Sequence, residues 1–139
     1  MSGQSDPCVF CTMTEEYLCA NSLAYAIWDR FPAAAGHSLV IPRRHMLTLD
    51  EASESEVVAL SALIRQTKVI IQEKYGADGF NIGINEGASA GQTVMHLHIH
   101  IIPRCAGDLP DPRGGIRKVL PCRRHPHSLF SHSCTCFSG

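Results

Sequence analysis

The chain has no excess of charge of either sign: 12 lysines and arginines stand against 13 aspartates and glutamates. That balance speaks against an electrostatic binder of nucleic acid or of a membrane surface. Long apolar runs are missing too. The longest, Val57 to Ile64, is broken by Ser61 and falls far short of the ~20 residues a membrane span requires. The opening Met1-Ser2-Gly3-Gln4-Ser5-Asp6-Pro7 carries neither a basic head nor an apolar core, so no secretory signal is expected there. There is no internal repeat. What remains is a chain of 139 residues, 45% hydrophobic, which fits a single globular domain. A cytoplasmic protein is the expectation, and in that compartment cysteines are more often free or metal-bound than bridged. Seven cysteines, an odd number, suit a complete disulfide framework poorly.

The cysteines and the eight histidines are unevenly placed. Cys122, Cys134, Cys136, His125, His127 and His132 fall in a final stretch, 122–139, that is serine-rich and holds no acidic residue. It reads as a poorly ordered extension beyond a domain spanning residues 1–121. A Cys/His-rich tract can bind metal, but its spacing matches no closed tetrahedral pattern.

Leu23 to Arg30 reads as a strand, and His37 to Arg43 as a second that leaves at Pro42, the two forming an antiparallel hairpin across the small-residue turn Ala33 to Gly36. Ser53-Glu54-Ser55-Glu56 fits a capping box opening one long helix. Its apolar stripe is Val57, Leu60, Ile64, Thr67 and Ile71, widened by Leu63 and Ile70, and Gly76 supplies the stop. Gly79 to Asn85 and Val94 to Ile102 read as two more strands, the latter ended by Pro103. Gly114-Gly115 precedes a short strand, Ile116 to Leu120. The order predicts an α+β fold with a mainly antiparallel sheet of about five strands and one long helix.

Chemistry concentrates in Gly91-Gln92-Thr93-Val94-Met95-His96-Leu97-His98-Ile99-His100-Ile101-Ile102-Pro103-Arg104. Strand alternation sends His96, His98 and His100 to one face and Leu97, Ile99 and Ile101 to the other. A solvated face that happens to carry histidine is the bland alternative, and the β-forming apolar frame argues against it. Two uses compete for the triplet: metal ligation, and nucleophilic attack on phosphorus. The preceding Gly87 to Thr93 loop favours phosphate. Its glycines allow close backbone approach, and the Gln92 amide and Thr93 hydroxyl can donate to phosphate oxygens.

His96-Leu97-His98-Ile99-His100-Ile101-Ile102 resembles the signature of the histidine triad (HIT) family of nucleotide hydrolases and transferases. Trp28-Asp29 with Gly36 to His45 resembles the family's N-terminal hairpin, and Asn85-Glu86-Gly87 with Gly91-Gln92-Thr93 resembles its nucleotide loop. The likeness covers about residues 8 to 121. Asp111 to Arg117 resembles a prokaryote-type branch close to the hydrolases of diadenosine tetraphosphate (Ap4A).

The resemblance implies an α+β meander, a homodimer, a nucleotide substrate and no organic cofactor. It makes His98 the nucleophile at the α-phosphorus, with His100 on the same phosphate and His37 completing the cluster. It places Asp29 on the ribose hydroxyls, and Arg30, Asn85, Gly91, Gln92 and Thr93 around sugar and phosphate. The implied product is AMP or GMP. The alternatives are a nucleotidyltransferase or phosphorylase that uses phosphate as acceptor, and a zinc-stabilised nucleotide-binding module with little catalysis.

Cys8-Val9-Phe10-Cys11 taken alone could be a zinc knuckle, a redox pair or coincidence, and a redox pair would call for a thioredoxin-like context that is missing. His45 and His96 are the histidines left once catalysis is assigned. The resemblance implies a structural zinc on Cys8, Cys11, His45 and His96, with an ordinary surface role the alternative for His45. Cys19 and Cys105 read as ordinary small residues. Trp28 and Phe31 could flank a base or simply pack in the core.

Overall fold

The computed structural model describes residues 7–14 and 16–120. The proposed extension 122–139 and its cysteines and histidines lie outside the described residues. The chain divides into two units, residues 1–108 and 109–139.

The first unit is a five-stranded sheet covered by a helix. The strands are β1 (Cys19–Ala20), β2 (Ala24–Trp28), β3 (Ser38–Pro42), β4 (Gly79–Ile84) and β5 (Ile99–Arg104), and the helix is α1 (Glu54–Tyr75). Their order across the sheet is β1-β2-β3-β5-β4, with every neighbouring pair antiparallel. The expected α+β architecture is therefore present.

Helix α1 forms where its capping chemistry allows. The Ser53 hydroxyl accepts from the Glu56 N–H, the Glu56 carboxylate accepts from the Ser53 N–H, and Gly76 ends the helix in the left-handed region at φ 66°. Leu60, Leu63, Thr67 and Ile71 are buried along it. The expected stripe fails at its first member, because Val57 is 39% exposed while Glu56 is buried. The reason is local: Glu56 serves the cap and receives Arg44 Nη2 at 2.8 Å, so apolar burial begins a turn later.

Alternation splits the sheet's apolar residues. Ala24, Ala26, Val40, Ile99 and Ile101, with Leu97 just ahead of β5, join Leu60, Leu63 and Ile71 on the helix side. On the opposite face Tyr25, Ile27, Leu39 and Ile41 are covered by Phe10.

Two strand expectations need correction. Residues 94–98 are not strand, and β5 begins at Ile99. Upstream of it the chain's hydrogen bonds go elsewhere: Leu97 N–H donates to the Met46 carbonyl and His96 N–H to that of Val94. At the other end Pro103 lies inside β5, tolerated because β3 pairs with β5 only over residues 99–101, so residue 103 has a neighbour on one side alone.

In the second unit the expected strand at Ile116 to Leu120 is a 3-10 segment, Gly115–Val119. Gly114 and Gly115 adopt φ of 89° and 42°, which starts a tight turn and not an extended run. The fifth strand is instead β1. Among the described residues no helix is long and apolar enough to cross a membrane.

Candidate active site

The histidine triplet does two different jobs. His96 and His98 are buried, and His100 is half-buried on β5 between Leu39 of β3 and Gly83 of β4. His98 and His100 rings are 5.0 Å apart, and His100 meets His37 at 5.2 Å. His96 turns away toward Cys8, Cys11 and His45.

Backbone groups assign the tautomers. The His98 Nδ1 lies 2.8 Å from the His96 carbonyl oxygen, which can only accept, so Nδ1 carries the proton and Nε2 keeps its lone pair. A second chain of bonds runs through His37. The Ala33 N–H donates to His37 Nδ1 at 2.9 Å, which leaves the His37 proton on Nε2. That proton is directed at His100 Nδ1, 3.0 Å away, and so the His100 proton sits on Nε2. The site thus holds an imidazole with a free Nε2 lone pair beside one with an Nε2–H donor.

Asp29 closes the cluster. Its Oδ1 accepts the Phe31 N–H in a tight turn, and its Oδ2 sits 3.3 Å from His37 Nε2 and 3.8 Å from His100 Nδ1. Burial holds His37 below the ordinary imidazole range, opposed by the Asp29 charge. His100 is lowered by burial first and then by His98 and His37, with Asp29 again opposing.

The glycine-bearing loop is braced from within. Gln92 is buried; its Oε1 accepts the Gly87 N–H and its Nε2 donates to the Leu47 carbonyl. The amide expected to reach phosphate is therefore engaged in holding the loop's shape. Gly87 and Gly91 take φ of 85° and 88°, and Glu86 Oε1 accepts the Leu49 N–H. Thr93 and Gly91 are exposed, as is Arg30, while Asn85 lies one residue past the Ile84–Ile99 pair. Phe31 is 89% exposed and so is no core residue; Trp28 is half-buried, edge-on to Tyr75 and under the Lys74 ammonium.

Among the described residues two clusters bring three or more metal-ligating atoms together, Cys8, Cys11, His45 and His96, and Asp29, His37 and His100. The first suits a metal. The His96 Nε2–H donates to the Pro42 carbonyl at 2.8 Å, so the Nδ1 lone pair faces Cys8 Sγ at 3.4 Å and Cys11 Sγ at 3.5 Å. His45 Nδ1 is 3.3 Å from Cys11 Sγ. In a tetrahedron with standard zinc bond lengths, sulfur and nitrogen lie about 3.5 Å apart. The second cluster suits a metal poorly. Ligation through His37 Nε2 would move its proton to Nδ1, against the Ala33 N–H.

Sequence reasoning missed two contributors. Phe10 was visible only as a spacer between cysteines, yet its ring packs edge-on to His96 and His98, with centroids 5.8 and 5.4 Å away. The Ala33 N–H has no signature at all, since every residue but proline carries one.

A sheet-backed histidine cluster with this loop defines a class, and the comparisons agree. The HIT domain model matches residues 12–107, so the chain belongs to the HIT domain family. Adenylylsulfatase HINT3 of Arabidopsis thaliana is 40% identical over 108 residues, covering 74% of this chain and 55% of that protein. The asymmetrical bis(5'-nucleosyl)-tetraphosphatase of Schizosaccharomyces pombe is 41% identical over 91 residues, 66% of this chain and 50% of that one. The AP-4-A phosphorylase of Mycobacterium tuberculosis is 36% identical over 89 residues, 63% and 46% of the two. The chain thus spans about half the length of these named enzymes. Among solved structures, a hypothetical histidine triad nucleotide-binding protein from Sulfolobus tokodaii superposes with a TM-score of 0.67 at 36% identity, over 75% of this chain and 73% of its own. A Zn-bound histidine triad family protein from Mycobacterium smegmatis gives 0.66 at 32%, over 81% and 89%.

Proposed function

We propose that the chain is a nucleotide hydrolase acting at the α-phosphate of dinucleoside polyphosphates or adenylated small molecules, through a nucleotidyl-histidine on His98. The observation that carries this reading is the His98 Nδ1–H bond to the His96 carbonyl, which leaves Nε2 as a buried, oriented nucleophile.

In the first step the Nε2 lone pair bonds to the α-phosphorus, and the bond from phosphorus to the bridging oxygen breaks. The leaving group departs as an anion, its new terminal oxygen accepting a hydrogen bond from the His100 Nε2–H. The adduct's positive imidazole is stabilised by the His96 carbonyl. Water then attacks phosphorus, the P–N pair returns to Nε2, a proton is lost to solvent, and AMP or GMP leaves. Asp29 is the ribose acceptor, and Arg30, Asn85, Gly91 and Thr93 contact sugar and phosphate. Gln92 keeps the loop in shape. Cys8, Cys11, His45 and His96 hold a structural zinc, and the open edge of β4 is the natural seam of a homodimer.

The similarity to a protein named AP-4-A phosphorylase supports a second reading, in which inorganic phosphate takes the place of water. A product screen over dinucleoside polyphosphates and adenylated compounds, with and without phosphate, tests both. Hydrolysis releases AMP throughout, whereas replacement of that AMP by ADP when phosphate is in excess would favour phosphorolysis. His98→Ala is expected to lower turnover by roughly 10³-fold or more while sparing AMP binding. Unchanged turnover in that variant would end the proposal.

A further inference from the structure

The metal cluster and the nucleophile share more than a neighbourhood. Two links run from one to the other. The first is residue 96, whose ring faces the cysteines while its carbonyl holds the His98 Nδ1–H. The second is Phe10, the third residue of Cys8-Val9-Phe10-Cys11. The backbone there closes into a turn, with the Cys11 and Thr12 N–H groups donating to the Cys8 carbonyl at 3.0 and 3.2 Å. The Phe10 carbonyl in turn receives the buried Tyr25 hydroxyl at 2.6 Å.

So anchored, the Phe10 side chain lies 7% exposed on the sheet face opposite α1, against Tyr25, Ile27, Leu39 and Ile41. Its ring meets His98 at 66° and His96 at 89°, both edge contacts. An imidazole fixed by one hydrogen bond can still rock about it. A packed aromatic ring on its flank removes that freedom and keeps water from the Nδ1 bond, which would otherwise lose its bias toward one tautomer.

We infer that Phe10 is a positioning residue for His98, and that metal binding by Cys8, Cys11, His45 and His96 acts on the nucleophile through the turn that carries it. The inference rests on the proposed role of His98. The metal cluster would then be part of the machinery that orients the reacting group. Phe10→Ala removes the ring and leaves all four ligands in place. Phe10→Leu restores most of the bulk.

The test uses the full chain loaded with zinc. Metal content, AMP affinity, the single-turnover rate of nucleotidyl-histidine formation and the ¹⁵N shifts of the His98 ring are measured together. Phe10→Ala is expected to keep one zinc per chain and AMP affinity within about twofold, while the single-turnover rate falls about 10- to 100-fold, the cost of a small misplacement. Its His98 ring should show mixed tautomers, and Phe10→Leu should recover most of both signals. Zinc-stripped wild-type protein should show the same mixed tautomers. If the His98 ring stays in the Nδ1–H form in Phe10→Ala and in the stripped protein, the inference is overturned, whatever the turnover. If His98→Ala itself turns over normally, it is the proposed function that has failed.

Discussion

Gly36→Ala puts one methyl group where the structure leaves no room, and its cost has two separable parts. Gly36 has φ +88°, and a Cβ there would stand 2.7 Å from Tyr75 Cδ2, 3.1 Å from Tyr75 Cε2 and 3.3 Å from Ile71 Cγ2. Holding an L-residue in the left-handed region costs roughly 1–2 kcal/mol. Overpacking adds roughly 1–3 kcal/mol, because the Tyr75 ring is itself set edge-on against Trp28 and cannot swing away without losing that contact. The sum is about 2–5 kcal/mol, a fall in Tm of roughly 8–20 °C for a domain of this size. Urea unfolding followed by fluorescence of Trp28, the one tryptophan in the chain, reads it directly. In a Tyr75→Ala background most of the overpacking part should vanish while the backbone part remains, a coupling of about 1–3 kcal/mol. Equal costs in the two backgrounds, or a single variant as stable as wild type, would show that the Tyr75 ring does not crowd this position. The site is involved as well, since this turn carries the Ala33 N–H that orients His37.

Other outcomes follow from the same geometry. Ala33→Pro removes that N–H at an exposed position, so the His37 and His100 ring ¹⁵N shifts should move toward mixed tautomers and turnover should fall several-fold with AMP affinity unchanged; unaltered shifts would exclude the relay. Cys11→Ser should lower zinc content well below one per chain and reduce Tm by roughly 10–15 °C in zinc-containing buffer, the scale of losing a site saturated near 1,000 Kd; full zinc occupancy in the variant would contradict the ligand set. Stability should also decline as pH falls through about 6.5, the ordinary imidazole value. His37 and His100 are lowered in the folded state, so there the unfolded chain binds more protons, and stability is fully present only above that value. Urea midpoints of zinc-loaded wild type and His37→Gln between pH 5.5 and 7.5 check this, the variant showing the shallower slope. Glu56, held at about 2 by Arg44 and the Ser53 N–H, loses its contribution at lower pH and leaves that window clear.

Local chemistry was readable wherever a few neighbouring residues settle the conformation. Ser53 and Glu56 close a hydrogen-bonded ring within four positions and Gly76 stops the helix by its own backbone freedom, so α1 could be placed to the residue. The β2–β3 hairpin was legible for the same reason, its alternation and turn lying within one short stretch. Residues 94–98 look equally strand-like, yet Met46 and Pro42 take the bonds a ladder would need. Ile116 to Leu120 has strand-forming residues, but two left-handed glycines set the direction of the chain first. Val57 sits at the right helical spacing, and the Arg44–Glu56 pair displaces burial away from it.

The two faces of the histidine segment were legible in residue order alone. A period of two would send three histidines to one side of an apolar frame; in the structure Leu97, Ile99 and Ile101 lie on the helix side and His98 meets Phe10 on the other, although the strand itself begins only at Ile99. Which histidine serves which purpose follows from contacts made in the folded chain. His96 turns to a cysteine pair 85 to 88 positions away because Pro42 occupies its other nitrogen, while His98 keeps a free nitrogen because the His96 carbonyl occupies its Nδ1. An imidazole's function follows from which nitrogen bears the proton; His98 takes its partner from two positions back, but His96 and His100 take theirs from Pro42 and His37, 54 and 63 positions away.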